Sequence, residues 1–241
     1  MAASPPPVLV PHDGPIATIT LNRPDRRNGV TVAMCEAMYD AARAVAASDA
    51  RVVVLRGAGD HFCVGADLIG TAAREVPYTL EDFGLIHHSA TLLHTMPQVT
   101  IAAIDGGCAG AGMGWAAACD LRFASDAVRF NTAFLTVGVP GDMGLAWSLT
   151  RVLGGAKARE LLFMPERFGA GDALAMGLVS RVFAAAALHG EVAEIAGELA
   201  TREPFALRMM KANLISAEHL SMAEVIDVET ARQTAATSRP D

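Results

Sequence analysis

The stretch "VTIAAIDGGCAGAGMGWAAACDLRFAS", residues 99–125, decides the fold. An apolar run over 99–104 reads as a strand, glycines at 110, 112 and 114 lead into an alanine-rich segment, and "DLRFAS" reads as the next strand. Strand, helix and strand joined by short connections predict parallel pairing and βα units. The glycines do not fit the dinucleotide fingerprint G-x-G-x-x-G, because Trp115 follows Gly114. They do not fit a phosphate-binding P-loop either, since the first lysine of the chain is Lys157. Two readings remain open: small residues that let a helix lie close to its neighbours, or unshielded backbone N–H groups at a helix start, where the helix dipole adds positive potential.

Upstream, residues 52–56 form an apolar strand closed by Gly57-Ala58-Gly59-Asp60, and "HFCVGADL" (61–68) follows. Its Gly65-Ala66 offers a second backbone N–H after a strand, and two such amides converging on one carbonyl oxygen make an oxyanion hole. Residues 8–10 and 16–21 flank His12-Asp13-Gly14-Pro15 as a β-hairpin. "LNRPDRRNGVT" is a polar loop whose Thr31 N-caps a helix to about residue 47. A looser stretch with Pro77 precedes a helix expected over 80–95. From about residue 145 helical patterns dominate (146–153, 156–164, 171–176), with one strand-like piece over 178–183 and three further helices. The fold class is therefore α/β, a mixed front half with a helical back half, and no fixed-period tandem repeat is present.

Composition narrows the partners. With 241 residues, 52% of them apolar, the chain fits one globular α/β domain with a helical appendage. Its net charge of -7 and lack of any basic block argue against nucleic acid as a partner. No uncharged apolar stretch of about 18 residues is present and the N-terminus lacks a signal pattern, so no membrane span and a cytoplasmic location are expected. Cys35, Cys63, Cys108 and Cys119 show no CxxC spacing and read as buried, reduced thiols. No metal site is expected.

Together "LNRPDRRN", "HFCVGADL", "IAAIDGGCAGAGMGWAAACDLRFAS", "GVPGDMGLAWSLTRVLGGAKARELLF" and "ALAMGLVSRVF" resemble the crotonase superfamily, the enoyl-CoA hydratase/isomerase family. The resemblance implies a ClpP/crotonase-like fold of repeated ββα units, with an α/β core over 1–190 and a helical trimerisation region over 191–241. It implies an acyl-CoA thioester substrate, coenzyme A entering as part of the substrate with no separate cofactor, and a homotrimer or a hexamer built as a dimer of trimers. The family's two oxyanion donors fall on the N–H groups of Ala66 and Ala111, which would stabilise a thioester enolate. The expected substrate and coenzyme A contacts are Arg23, Arg26 and Arg27 in the loop after the hairpin, Gly65, Asp67 and Leu68 beside Ala66, Gly110, Gly114 and Trp115 in the glycine run, and His87 and Phe134 elsewhere.

The two glutamates of a hydratase of this family fall on Gly114 and Phe134, neither of which transfers a proton. Asp142, in "GVPGDMG", stands where dienoyl-CoA isomerase has an aspartate and where aryl-CoA dehalogenases carry their nucleophile. Isomerase-type or other enolate chemistry through Asp142 is thus favoured over simple hydration. The alternatives are an acyl-CoA-binding protein without catalysis and dehalogenase-like chemistry pairing Asp142 with His87. The local alternative for Asp142 is a cap on the helix that begins near Gly144.

Overall fold

The computed structural model describes residues 5–68 and 84–238. Pro77 and the first residues of the helix expected over 80–95 lie outside these. The main sheet is built from β1 (Val8–Leu9), β2 (His12–Asp13), β3 (Ile16–Leu21), β4 (Val52–Gly57), β5 (Val99–Ile104), β7 (Leu121–Ser125) and β10 (Arg181–Phe183). Strands β3, β4, β5, β7 and β10 lie side by side and parallel, while β1 and β2 pair antiparallel with β3. A smaller sheet holds β6 (Gly107–Ala109), β8 (Arg129–Asn131) and β9 (Phe168–Gly169) in that order.

The expected ββα repeat is visible in this division. After β5 and again after β7, the chain leaves the main sheet, adds β6 or β8 to the small one and enters a helix, which leads back to β7 in the first case and on to β9 of the small sheet in the second. Those helices are α3 (Ala111–Ala118) and α4 (Leu145–Phe163). The others are α1 (Val32–Ala46), α2 (Ser89–Thr95), α5 (Ala170–Ala175), α6 (Leu188–Ala200), α7 (Pro204–Ala217) and α8 (Met222–Thr237). Thr31 caps α1 by accepting the Met34 N–H at 3.2 Å. Instead of one helix to residue 95, a 3-10 turn at Ile86–His88 runs into α2. The two helices expected over 146–164 form α4, kinked at Gly154, whose φ is +77 and ψ 159.

Strand residues alternate between two apolar layers, as a period of two requires. Val53, Leu55, Ala102 and Ile104 join α1, α2, α3 and α4 in the larger cluster. Val52, Val54, Ile101, Ala103 and Phe123 join Leu188, Val192, Ala196 and Ala200 of α6 in the other. A boundary at residue 190 therefore falls inside a helix that covers the sheet, and the pair α7/α8 stands beyond it. Every residue of α3 is buried, so this helix has no solvated face. No helix among the described residues is long and apolar enough to cross a membrane.

One ion pair ties α7 to this core. The Lys211 side chain is only 3% exposed; its Nζ lies 2.8 Å from Asp120 Oδ2 and donates to the Gln98 carbonyl at 2.7 Å. Asp120 also accepts the Thr100 N–H at 2.7 Å and its hydroxyl at 2.9 Å, which joins the end of α3 to the start of β5. Removing one member of a buried pair leaves the other without its counter-charge, at a cost of about 3–5 kcal/mol. Lys211→Ala is therefore expected to lower the unfolding free energy by about 3 kcal/mol in a urea titration, with an unchanged urea slope.

Candidate active site

The loop carrying Ala66 is braced from below by the loop after β3. Asn28, wholly buried at a positive φ of 54, donates through Nδ2 to the carbonyls of Ala58 (3.0 Å) and His61 (2.7 Å). Its Oδ1 accepts the Arg23 N–H at 2.8 Å. Val30 N–H donates to Gly65 O at 2.8 Å and Asp67 N–H to Val30 O at 2.9 Å, so both neighbours of Ala66 are pinned. The sequence reading missed Asn28, although its Asn-Gly pair with Gly29 is a turn signal and Asn tolerates the left-handed conformation.

The same loop is stitched to the glycine run. Cys63 N–H donates to Gly107 O at 3.0 Å and Ala109 N–H to Cys63 O at 2.8 Å. Gly107 N–H donates to His61 Nδ1 at 2.9 Å, which fixes the proton of a neutral His61 on Nε2. The approach is so close that a Cβ on Gly112 would stand 2.5 Å from the Cys63 carbonyl oxygen and 2.6 Å from its Cβ. Gly110, with φ 51 and ψ -124, takes a backbone conformation open only to glycine as it turns β6 into α3. A Cβ there would lie 3.6 Å from Gly65 Cα, so the residues before Ala66 and Ala111 touch. Among the described residues no acceptor pairs with the Ala66 or the Ala111 N–H. The close-packing reading of the glycine run holds, and the packing sets the segments that carry Ala66 and Ala111 against each other.

Asp142 sits in the Gly141–Gly144 turn that leads into α4. The capping alternative does not hold: Gly144 is the N-cap residue, and no side chain caps this helix. Asp142 Oδ1 is buried and has no hydrogen-bond partner. Burial pushes its carboxyl up to about 6, because the charged form loses hydration that nothing replaces. Burial, with Asp142 adding to it, pushes the thiols of Cys35 and Cys63 up to about 12, so both stay protonated and are not nucleophiles.

Between these parts lies Phe134, in the 3-10 turn Phe134–Val137. Its ring comes within 3.7 Å of a Cβ position on Gly110 and 3.6 Å of one on Gly141, spanning from the start of α3 to the Asp142 turn. Gly114 faces Met143, whose Cβ would be 2.5 Å from a Cβ added to that glycine. Trp115, expected beside the substrate, is instead wholly buried in the core, with its indole N–H donating to Ser89 Oγ at 2.9 Å.

Arg23, expected at coenzyme A phosphates, is committed elsewhere: Nη2 pairs with Asp67 Oδ2 at 2.9 Å and Nη1 donates to the Gly29 carbonyl. Its fork, and with it Asp67, holds the Ala66 loop in place. Arg26 and Arg27 are exposed and, with Ala66 and Leu68, line an open cavity of about 1450 Å³. His87 lies on the other side, in a cleft of about 510 Å³ shared with His94, Met143, Gly144 and Trp147. Burial, then neighbouring His88, lowers its pKa and favours a neutral imidazole.

The chain is similar in sequence and fold to known proteins. The family model described as enoyl-CoA hydratase/isomerase matches residues 12–241. The chain is 31% identical over 223 residues to the mitochondrial Delta(3,5)-Delta(2,4)-dienoyl-CoA isomerase of Mus musculus, a match covering 87% of this chain and 68% of that protein. It is 32% identical over 202 residues to 4-chlorobenzoyl coenzyme A dehalogenase-1 of Arthrobacter sp, covering 80% and 72% respectively. A crystal structure from Thermobifida fusca YX in complex with CoA superposes with a TM-score of 0.91 at 28% identity, covering 97% of this chain and 93% of that one.

Two outcomes follow from the packing and the burial. Gly112→Ala forces the Cys63 backbone away from α3 and is expected to cost about 1–3 kcal/mol of stability, measured by thermal and urea unfolding. Asp142 has its pKa raised on folding, so its protonated form suits the folded state better. Its contribution is full below the unfolded pKa near 4 and is lost as pH rises through about 6. Asp142→Asn should therefore gain stability relative to the parent between about pH 4 and 6, with a constant advantage above that range; unfolding free energies across pH measure it.

Proposed function

The chain belongs to the enoyl-CoA hydratase/isomerase family, and from that premise we propose that it moves a double bond in an acyl-CoA thioester by way of an enolate. The thioester oxygen accepts the N–H groups of Ala66 and Ala111. Negative charge grows on that oxygen as a carbon-bound proton leaves, and the α3 dipole adds to the stabilisation. Each such donor is worth about 3–4 kcal/mol in the transition state. Arg26 and Arg27 meet the phosphates of the coenzyme A portion at the mouth of the larger cavity.

Asp142 moves the proton. With a pKa of about 6 it is ionised at neutral pH and is a stronger base than an ordinary carboxylate. The observation that carries the proposal is the buried, unpartnered Oδ1 of Asp142 in a turn whose Met143 packs on Gly114 of α3. At Gly114 and Phe134, where the family's hydratases hold their water, no proton acceptor is present. The exposed apolar side chains of α7 and α8, among them Met210, Leu214, Met222 and Ile226, support assembly with further copies into a trimer.

The test is incubation with 2-enoyl-, 3-enoyl-, dienoyl- and 4-chlorobenzoyl-CoA, with products followed by mass and absorbance. Isomerisation of a 3-enoyl- or dienoyl-CoA is the expected result, with kcat/KM rising through about pH 6 to a plateau. Asp142→Asn is expected to lower kcat by about 10²–10⁴. Turnover untouched by Asp142→Asn removes Asp142 from its role. Tight binding without turnover of any thioester makes the protein a binding module, and chloride release from 4-chlorobenzoyl-CoA makes Asp142 a nucleophile.

A further inference from the structure

Ala133 stands at a φ of 60 and a ψ of -21, a left-handed conformation that is costly for a residue with a Cβ and that alanine has no polar side chain to support. The support comes from Asn131, the last residue of β8. Its Oδ1 accepts the Ala133 N–H at 2.6 Å, in the manner of an Asx-turn. The Phe134 N–H then folds back to the Thr132 carbonyl at 2.7 Å, closing a three-residue turn. Thr132 is almost wholly buried and is fixed from outside, its hydroxyl donating to the Leu161 carbonyl at 2.6 Å. Ala133 is therefore the joint of the segment, and the Asn131 side chain locks it.

Two parts of the candidate site hang on this joint. The Phe134 ring, carried by the residue after Ala133, lies between the start of α3 and the turn bearing Asp142, against Gly110 on one side and Gly141 on the other. The main chain of Asn131 meets the same helix start, its carbonyl accepting the Gly110 N–H at 3.1 Å beside the Ala109–Asn131 pairing of β6 and β8. Through its backbone Asn131 thus holds Gly110, next to the Ala111 amide. Through its side chain it holds the ring that spaces Gly110 from Gly141, next to Asp142. The spacing of an oxyanion donor from a base matters for rate, because a misplacement of about 1 Å costs about 10²-fold.

We propose that Asn131 is a positioning residue: by locking Ala133 it fixes the Phe134 ring, and with it the separation of the Ala111 N–H from the Asp142 carboxyl. The inference rests on the roles of Ala111 and Asp142 proposed above, and it requires no contact between Asn131 and substrate. Alignment acts on the chemical step, so its loss lowers kcat and kcat/KM together and leaves KM near the parent value.

The test measures kcat and KM on the thioester that the parent isomerises, for Asn131→Ser, Asn131→Ala, Ala133→Gly and the double variant Asn131→Ala/Ala133→Gly, with thermal melts to confirm folding. Serine repeats the turn bond more weakly, so kcat is expected to fall in the order Asn, Ser, Ala at position 131. The loss in Asn131→Ala is expected to be about 10- to 100-fold, with KM little changed. Glycine takes a positive φ without help, so adding Ala133→Gly is expected to restore most of the kcat that Asn131→Ala loses, a rescue that a residue needed only for packing does not show. Where Asn131→Ala does not fold, Asn131→Ser and its Ala133→Gly double variant carry the same comparison. Unchanged kcat in Asn131→Ala overturns the inference and leaves the Asp142 proposal standing. A rise in KM alone also overturns it and makes Asn131 a substrate contact on the wall of the larger cavity, which it lines. So does a fall in kcat that Ala133→Gly does not relieve. A parent that turns over no thioester overturns both.

Discussion

The site depends on the contact between Cys63 and Gly112. At that point the loop after β4 and the first turn of α3 are so close that a single Cβ would collide with a backbone carbonyl. The contact locks two segments from different ββα units into one register, through Cys63 N–H to Gly107 O and Ala109 N–H to Cys63 O. Ala66 and Ala111 follow the touching Gly65 and Gly110, and among the described residues no oxygen takes their N–H groups. Free amides are costly when buried and useful when a substrate oxygen completes them. The buried Asn28 and the Arg23–Asp67 pair hold the outer loop against that contact, so side chains that never meet substrate still decide where one donor points.

The second constraint is the burial of Asp142. A carboxylate with an unsatisfied oxygen is unfavourable in the folded state, and the turn Gly141–Gly144 holds it there through positive φ angles at three of its four residues. Burial strips hydration from the charged form of Asp142 and so raises its basicity. Strain, burial and basicity are thus one arrangement, held by the packing of Met143 on Gly114 and of Phe134 on Gly141.

Much of this was legible in the chain. The apolar runs over 52–56 and 99–104, the Thr31 cap, and the change to helical patterns near residue 145 reflect local preferences and appear at or near the expected places. Trp115 and Arg23 were misplaced, because neither the complete burial of α3 nor the competing claim of Asp67 on the guanidinium has a local signature. The 3-10 start of α2 was likewise invisible, since the apolar spacing there suits either helix type.

By itself, then, the sequence determined the order and kind of the elements, the glycines available for close approach, the absence of proton acceptors at positions 114 and 134, and the presence of one at 142. These are properties of residue type and short-range spacing. Only the tertiary structure decided that Gly112 lies on Cys63, that Met143 covers Gly114, and that one oxygen of Asp142 is buried without a hydrogen-bond partner. Each depends on packing between segments far apart in the chain, where steric exclusion at a few tenths of an ångström outweighs any preference that neighbouring residues express.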